Sequence, residues 1–337
     1  MRIGIHVGHW EGQPHDLIAL ALEAERAGMD SVWTSETWGS DALLTLTWIA
    51  ARTERIGLGT GVVQMPGRSP ASTAMAALTL DHLSGGRLRL GLGVSGPQVA
   101  EGWHGVPFDH PLERTREYVA IVRSVLRRDA PVTAPGPHFP LPLPGGQGKP
   151  LKTNVRPLRT EVPIFLAAMG PANVALAAEI AEGWIPFLYS PEKAGVFEEA
   201  IAEGRRARGR GMAALEVAPM VPTAIGEDLA ACRDALRPLL ALYAGGMGSR
   251  RVNFYHALAT RYGYGQAADA IRDAFLDGRR SEATALVPDP MIDELCLVGP
   301  AARVCERLEA WRAAGVTTLL AKVDEVETIR ALAQAAA

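Results

Sequence analysis

Cysteine is scarce in this chain. Its 337 residues include three, Cys232, Cys296 and Cys305, widely spaced, with no CxxC pair and no Cys/His metal spacing. An odd and scattered set argues against a disulfide framework and for reduced thiols, as expected of a cytoplasmic protein. Long apolar runs are missing too. None reaches the ~18 residues that a transmembrane helix needs, so no membrane partner is expected. The start, MRIGIHVGHW, lacks the charged-then-apolar pattern of a signal peptide and reads as a first strand. Charge of one sign is not in excess: 34 Lys and Arg stand against 37 Asp and Glu, a net charge of −3, with no long basic run. That argues against a nucleic-acid partner. The arginines of EGRRARG, Glu203 to Gly209, read as a solvated helix end. No GxSxG elbow and no P-loop lysine motif occurs, so hydrolase and nucleotide triphosphatase readings lose their usual support. His6 and His9, three apart around a strand, point to opposite faces, and no metal site is expected.

What is present is a chain 48% hydrophobic and 21% charged, enough for a large core. Short apolar strands alternate with helical patterns, the mark of βαβ units and a parallel sheet. Strands are expected at Arg2 to Val7, Asp30 to Glu36, the start of RIGLGTGVVQMPGRSP (Arg55 to Pro70), Arg87 to Ser95, Val162 to Ala168, Gly183 to Leu188, Leu215 to Ile225 and Thr317 to Lys322. Ser40 is the expected N-cap of the second helix. About eight strands fit an α/β fold of the closed (β/α)8 TIM-barrel type better than an open sheet. The expected organisation is one domain over 1–337, with insertions at about 97–111, 131–160 and 245–290. The second insertion contains PGPHFPLPLPGGQGKP, too rich in Pro and Gly for a regular element. It and the GGMGSRRVNFYH loop are expected to act as lids.

In such a barrel, functional groups lie past the C-terminal ends of the strands. Those positions are Gly8, His9 and Trp10; Glu36, Thr37 and Trp38; Gly61, Gln64 and Arg68; Ser95, Gly96, Gln98, Glu101, Trp103 and His104; Met169, Gly170 and Pro171; Leu188 and Tyr189. They are rich in aromatics and glycines and poor in paired carboxylates, which suits a flat aromatic cofactor and a small organic substrate. Glu36, His9 and His104 are the candidate catalytic residues, and Trp38, Glu101 and Trp103 the substrate-facing ones. Gly57, Gly59 and Gly61 interrupt a strand, which marks a bulge or a close approach to the backbone. GLGVSG (Gly91 to Gly96) has GxGxxG spacing without the following helix and acid of a dinucleotide site, so its glycines read as a barrel rim. AAMGPAN, from Ala167, leads straight into a helix. Its free N–H groups form either an anion site or an ordinary strand-to-helix loop.

RIGLGTGV followed by RSP, LTLDHLSGGRLRLGLGVSGP (Leu78 to Pro97), GPANVALAAEIAEGW (Gly170 to Trp184) and LVGPAARVCERLEAWRAAGVTTLL resemble the luciferase-like monooxygenase superfamily over almost the whole chain. The GLGVSGP form is most similar to the branch that uses the deazaflavin coenzyme F420, the relatives of methylenetetrahydromethanopterin reductase. The resemblance implies a hydride-transferring oxidoreductase that acts on a C=C, C=N or C=O bond. It also implies a non-proline cis peptide at Gly61–Val62 behind the cofactor ring. Glu36 matches an acid near the deazaflavin head. Val94, Ser95 and Gly96 match a segment along the ring or ribityl chain, and Ala167, Ala168, Met169 and Gly170 match the backbone that holds the ribityl and phosphate groups. Thr37 departs from the histidine of the sugar-phosphate dehydrogenases of this branch, which argues against their reaction. A two-component FMN-dependent monooxygenase and a non-catalytic flavin-binding protein remain as alternatives. A homodimer is common in the family.

Overall fold

The computed structural model describes residues 1–9, 15–209 and 212–336. Among these residues, eleven strands run in chain order: β1 (Arg2–Gly8), β2 (Ser31–Thr34), β3 (Gly57–Thr60), β4 (Val63–Gln64), β5 (Leu88–Gly93), β6 (Ile164–Ala167), β7 (Gly183–Ile185), β8 (Glu216–Val217), β9 (Met220–Ile225), β10 (Leu297–Gly299) and β11 (Thr318–Lys322). The ladders between them are parallel, in the order β10-β9-β11-β1-β2-β3-β5-β6-β7-β8, with β4 pairing β5. β8 and β9 are two pieces of one segment. It pairs β7 on one side, through Ala218 N–H to Trp184 O at 2.8 Å, and β11 on the other, through Leu320 N–H to Pro219 O at 2.9 Å. The sheet therefore closes on itself as the expected barrel, with helices outside.

The strands are buried on both faces, which is why they read as continuous apolar runs. The main core lies between strands and helices. A second cluster of Trp33, Phe165, Ile185, Ala218 and Leu320 fills the barrel itself. Trp33 and Phe165 meet edge to face at 5.3 Å. Trp33 pairs in register with Gly59. A Cβ on Gly59 would stand 2.1 Å from Trp33 Cδ2, so only glycine leaves the indole its place. Gly59 thus admits close approach, and what approaches is the barrel's own filling.

Some local details differ from the sequence reading. The second helix, Ala42–Ala50, is capped by Asp41, whose carboxylate accepts Leu44 N–H at 2.8 Å, and not by Ser40. Strand β10, three residues long on the far side of β9, carries too short an apolar signal to be read. The first insertion contains a short helix, Pro97–Gly102. The third is mostly helical, with Phe254–Ala259, Gly265–Leu276 and Arg280–Ala285.

Segment 131–160 is irregular, as expected, but its contacts are those of a strap and not of a lid over the strand ends. It joins the end of the helix Pro111–Arg127 to the start of β6, both at the opposite end of the barrel from the C-terminal mouth. Its legs are held there by Arg128 Nε to Thr153 O at 2.8 Å and by His82 Nε2 against Arg156 O at 2.6 Å. At its exit, Arg159 grips Asp81 through Nε–Oδ2 at 3.1 Å and Nη2–Oδ1 at 2.8 Å. Asp81 is 2% exposed. Removing the cation from a buried carboxylate leaves a charge without a partner, which typically costs several kcal/mol. Arg159→Met is expected to lower unfolding free energy by about 3 kcal/mol in urea; an unchanged midpoint would show that the pair does not anchor the strap.

Candidate functional site

Glu36 stands two residues past β2, at the barrel's C-terminal mouth, with its side chain 14% exposed. Its Oε2 accepts the Gln64 backbone N–H at 2.7 Å, and Arg68 Nε lies 3.8 Å from Oε1. Arg68 also pairs with Asp41. Burial raises the Glu36 pKa above the ordinary value, and Asp41 adds to the rise. The Gln64 N–H and Arg68 oppose it without cancelling it. The result is a carboxyl that keeps a proton to higher pH than a surface glutamate, within a hydrogen-bonded frame.

The other candidate catalytic groups join this frame. His104 Nε2 lies 3.0 Å from Gln64 Oε1, so Gln64 links His104 through its side chain to Glu36 through its backbone. Thr37 Oγ1 donates to the Glu36 carbonyl at 2.7 Å and lies 3.3 Å from His9 Nδ1. Thr37 is left-handed at φ 50°, a rare conformation for a β-branched residue. Ser95 at φ 63° and Leu188 at φ 53°, past β5 and β7, are left-handed as well. Sparse backbone conformations of this kind gather at functional sites, where surrounding structure maintains them.

Beneath the mouth, the bond Gly61–Val62 is cis. His6 Nε2 lies 3.2 Å from Gly61 O, and its Nδ1 has no partner among the described residues. Burial lowers the His6 pKa to about 4, so the ring is neutral, and the carbonyl fixes the proton on Nε2. A Cβ on Gly93 would sit 2.5 Å from Val62 Cγ2 and 3.8 Å from Ala167 Cβ. Val62, between β3 and β4, therefore packs over Gly93 of β5 beside Ala167 of β6, and the three form one apolar floor. Val94, Ser95 and Gly96 continue from that floor. Ala168 O accepts Trp184 Nε1–H at 2.8 Å and Met169 O accepts Arg261 Nη2–H at 3.0 Å. Gly170 is followed by the helix Pro171–Ile180, whose N-terminus has no side-chain cap, and a Cβ on Gly170 would meet nothing within 4 Å. Free N–H groups, the helix dipole and the Arg261 cation converge there, a setting for an anion.

The remaining sequence candidates divide. Trp38 and Trp103 are exposed on the rim. Glu101 accepts the Phe108 N–H at 3.2 Å and so closes its own loop. Trp10 lies outside the described residues. The structure adds an aromatic wall that sequence reasoning misses. Phe187, bridged to Met220, meets Tyr243 at 4.5 Å and Tyr255 at 6.0 Å. Burial raises both phenol pKa values. β7 lies four strands from β2 in the closed order, so Phe187 stands across the mouth from Glu36. Tyr255 comes from the third insertion and Tyr243 from just before it, and no spacing in the sequence links them to a strand end.

Comparison with known proteins agrees with this architecture. The luciferase-like monooxygenase family model matches residues 2–318. A Mycobacterium tuberculosis protein bearing the name of a putative coenzyme F420-dependent oxidoreductase is 47% identical over 99% of this chain and 98% of its own length. A 5,10-methylenetetrahydromethanopterin reductase of Archaeoglobus fulgidus is 29% identical over 88% of this chain and 86% of its own. The structure of the coenzyme F420-dependent tetrahydromethanopterin reductase of Methanopyrus kandleri superposes with a TM-score of 0.84 at 24% identity, over 99% of this chain and 97% of that one, a likeness of fold. With its barrel and a family match across nearly its full length, the chain belongs to the luciferase-like monooxygenase family.

Proposed function

We propose that the chain is an oxidoreductase that uses coenzyme F420 to reduce a C=C, C=N or C=O bond of a small organic substrate in the cytoplasm. The observation that carries the reading is the apolar floor of Val62, Gly93 and Ala167, with the raised-pKa carboxyl of Glu36 on the β2 side and the uncapped helix Pro171–Ile180 on the other. A planar ring fits the floor, and a phosphate fits the helix start beside Arg261. The name of the 47% identical relative supports the choice of cofactor. When bound, the deazaflavin supplies a hydride from its C5. The chain's residues position and shield the reactants. Val94, Ser95 and Gly96 would flank the ring, and Ala167, Ala168, Met169 and Gly170 would hold the chain that leads to the phosphate. Glu36 holds a proton for the reduced substrate, with His104 linked to it through Gln64 and His9 through Thr37. Trp38 and Trp103 guide substrate from the rim, and Phe187 faces it from across the mouth.

A homodimer forms through the helices Ala42–Ala50 and Pro70–Leu83. The first, ALLTLTWIA, carries no charge, and Leu44 on it is 71% exposed. Leu83, on the second, is 65% exposed. Exposed apolar side chains of this size on two adjacent helices mark an interaction face.

Titrating the protein with F420 and with FMN, followed by fluorescence and calorimetry, is expected to give at least about tenfold tighter binding of F420, a difference of ~1.4 kcal/mol. Tighter FMN binding would move the chain to the two-component monooxygenases, and binding of neither would overturn the cofactor reading. With Glu36 as proton donor, kcat falls as pH rises through its raised pKa, because the protonated form is the active one. Glu36→Gln is expected to lower kcat by about 10²-fold and to remove that limb of the pH profile. An unchanged profile would assign Glu36 to ring binding alone. Leu44→Glu together with Leu83→Lys is expected to convert a dimer to a monomer in light scattering with the fold retained; a wild-type chain that is already monomeric would refute the interface.

A further inference from the structure

We propose that His110, Glu113 and His138 form a binding site for a divalent first-row metal ion, zinc foremost, that fastens the tip of the strap to the helix Pro111–Arg127. The three residues lie outside the barrel mouth, and the proposal stands apart from the redox reading. Glu113 Oε2 is 3.2 Å from His110 Nδ1 and 3.3 Å from His138 Nε2. One carboxylate oxygen thus sits between two imidazole nitrogens from separate parts of the chain. The three ligand atoms all lie within 4.8 Å of one another. In a tetrahedral zinc site with bonds of about 2.0–2.1 Å, neighbouring ligand atoms are about 3.3 Å apart. Two of the three edges already have that length, and the third is within 4.8 Å. Two imidazoles and a carboxylate are borderline donors that suit zinc and its first-row neighbours, with a fourth position for water.

The positions of these ligands are set by contacts that need no metal. His110 is left-handed, at φ 45° and ψ 45°, immediately before the helix, and Glu113 lies in the helix's first turn. His138 arrives on the strap tip, where an Ala134–Leu141 bridge closes a hairpin-like turn. Glu117 holds that tip by accepting the backbone N–H groups of His138 at 3.1 Å and Phe139 at 3.0 Å. The Phe139 ring meets Tyr118 edge to face at 5.6 Å. A Cβ on Gly136 would stand 2.2 Å from Glu117 Cδ, so glycine is what lets the tip come this close to the helix. Glu117 therefore does the fastening of the backbone, and Glu113 is left with the two imidazoles alone among the described residues. Such preorganisation keeps the ordering cost of metal binding low.

The test uses the full chain, stripped with chelator and exchanged into metal-free buffer. Calorimetric titration with zinc chloride is expected to give one ion per chain, and cobalt chloride the intense visible absorption of a tetrahedral centre. Glu113→Gln and His138→Gln should each weaken binding by at least about tenfold. His82→Gln, at the far end of the strap, should leave it unchanged. Zinc should also slow proteolytic cutting between residues 140 and 150 in the wild type but not in His138→Gln, with thermal melts in chelator confirming that the variants fold. No saturable binding, or equal binding by the wild type, Glu113→Gln and His138→Gln, would overturn the site and leave a hydrogen-bonded cluster.

Discussion

The indole of Trp33 fills the barrel, and the strands around it give up side chains to admit it. Trp33 pairs with Gly59 on one neighbouring strand and with His6 on the other. The same exchange recurs on the far side, where Phe165 pairs with Gly183 and a Cβ on Gly183 would stand 2.0 Å from the Phe165 ring. A large ring beside a glycine, in register across adjacent strands, packs a narrow barrel without voids. It also sets the strand registers, because a slip of one residue would place a side chain against the ring. Everything at the mouth inherits its position from those registers.

Above that filling, the mouth is organised around one carboxylate. Glu36 is held by the Gln64 N–H, and that bond ties the end of β2 to β4. β4 begins beyond the cis bond at Gly61–Val62. The floor of Val62, Gly93 and Ala167 and the frame of Glu36, Gln64 and His104 thus meet at one short stretch of chain. The sparse φ values of Thr37, Ser95 and Leu188 surround it on three strands. Such a rim fixes one carboxyl at a set place beside an apolar floor.

Much of this architecture is legible in the order of the amino acids. Alternation of apolar strands and helical patterns identifies the barrel, and the strand ends identify Glu36, His9, Gln64 and His104 as neighbours of one mouth. The break in strand pattern at Gly57, Gly59 and Gly61 marks close approach. Other features are hidden for definite reasons. Phe187, Tyr243 and Tyr255 are brought together across long stretches of chain, and no local period reports such a contact. The strap reads as a lid because composition shows that a segment is irregular but not that it packs along the outside of a helix. His110 and Glu113 lie in a run that reads as a helix start, and His138 lies in the Pro-rich strap, so no metal-ligand spacing is visible.

The amino-acid sequence by itself determined the fold class, the family and the set of residues that can reach the mouth, because strand and helix periods and local motifs are short-range properties of the chain. Tertiary structure decided which of those residues touch. It left Glu101 closing its own loop, joined His104 to Glu36 through Gln64, and raised the Glu36 pKa by burying it. It also put His6 beneath Gly61 and chose Trp33 as the occupant of the space that Gly59 leaves. Contact and burial depend on strand register and on how the sheet closes, and these are settled only when distant segments pack together.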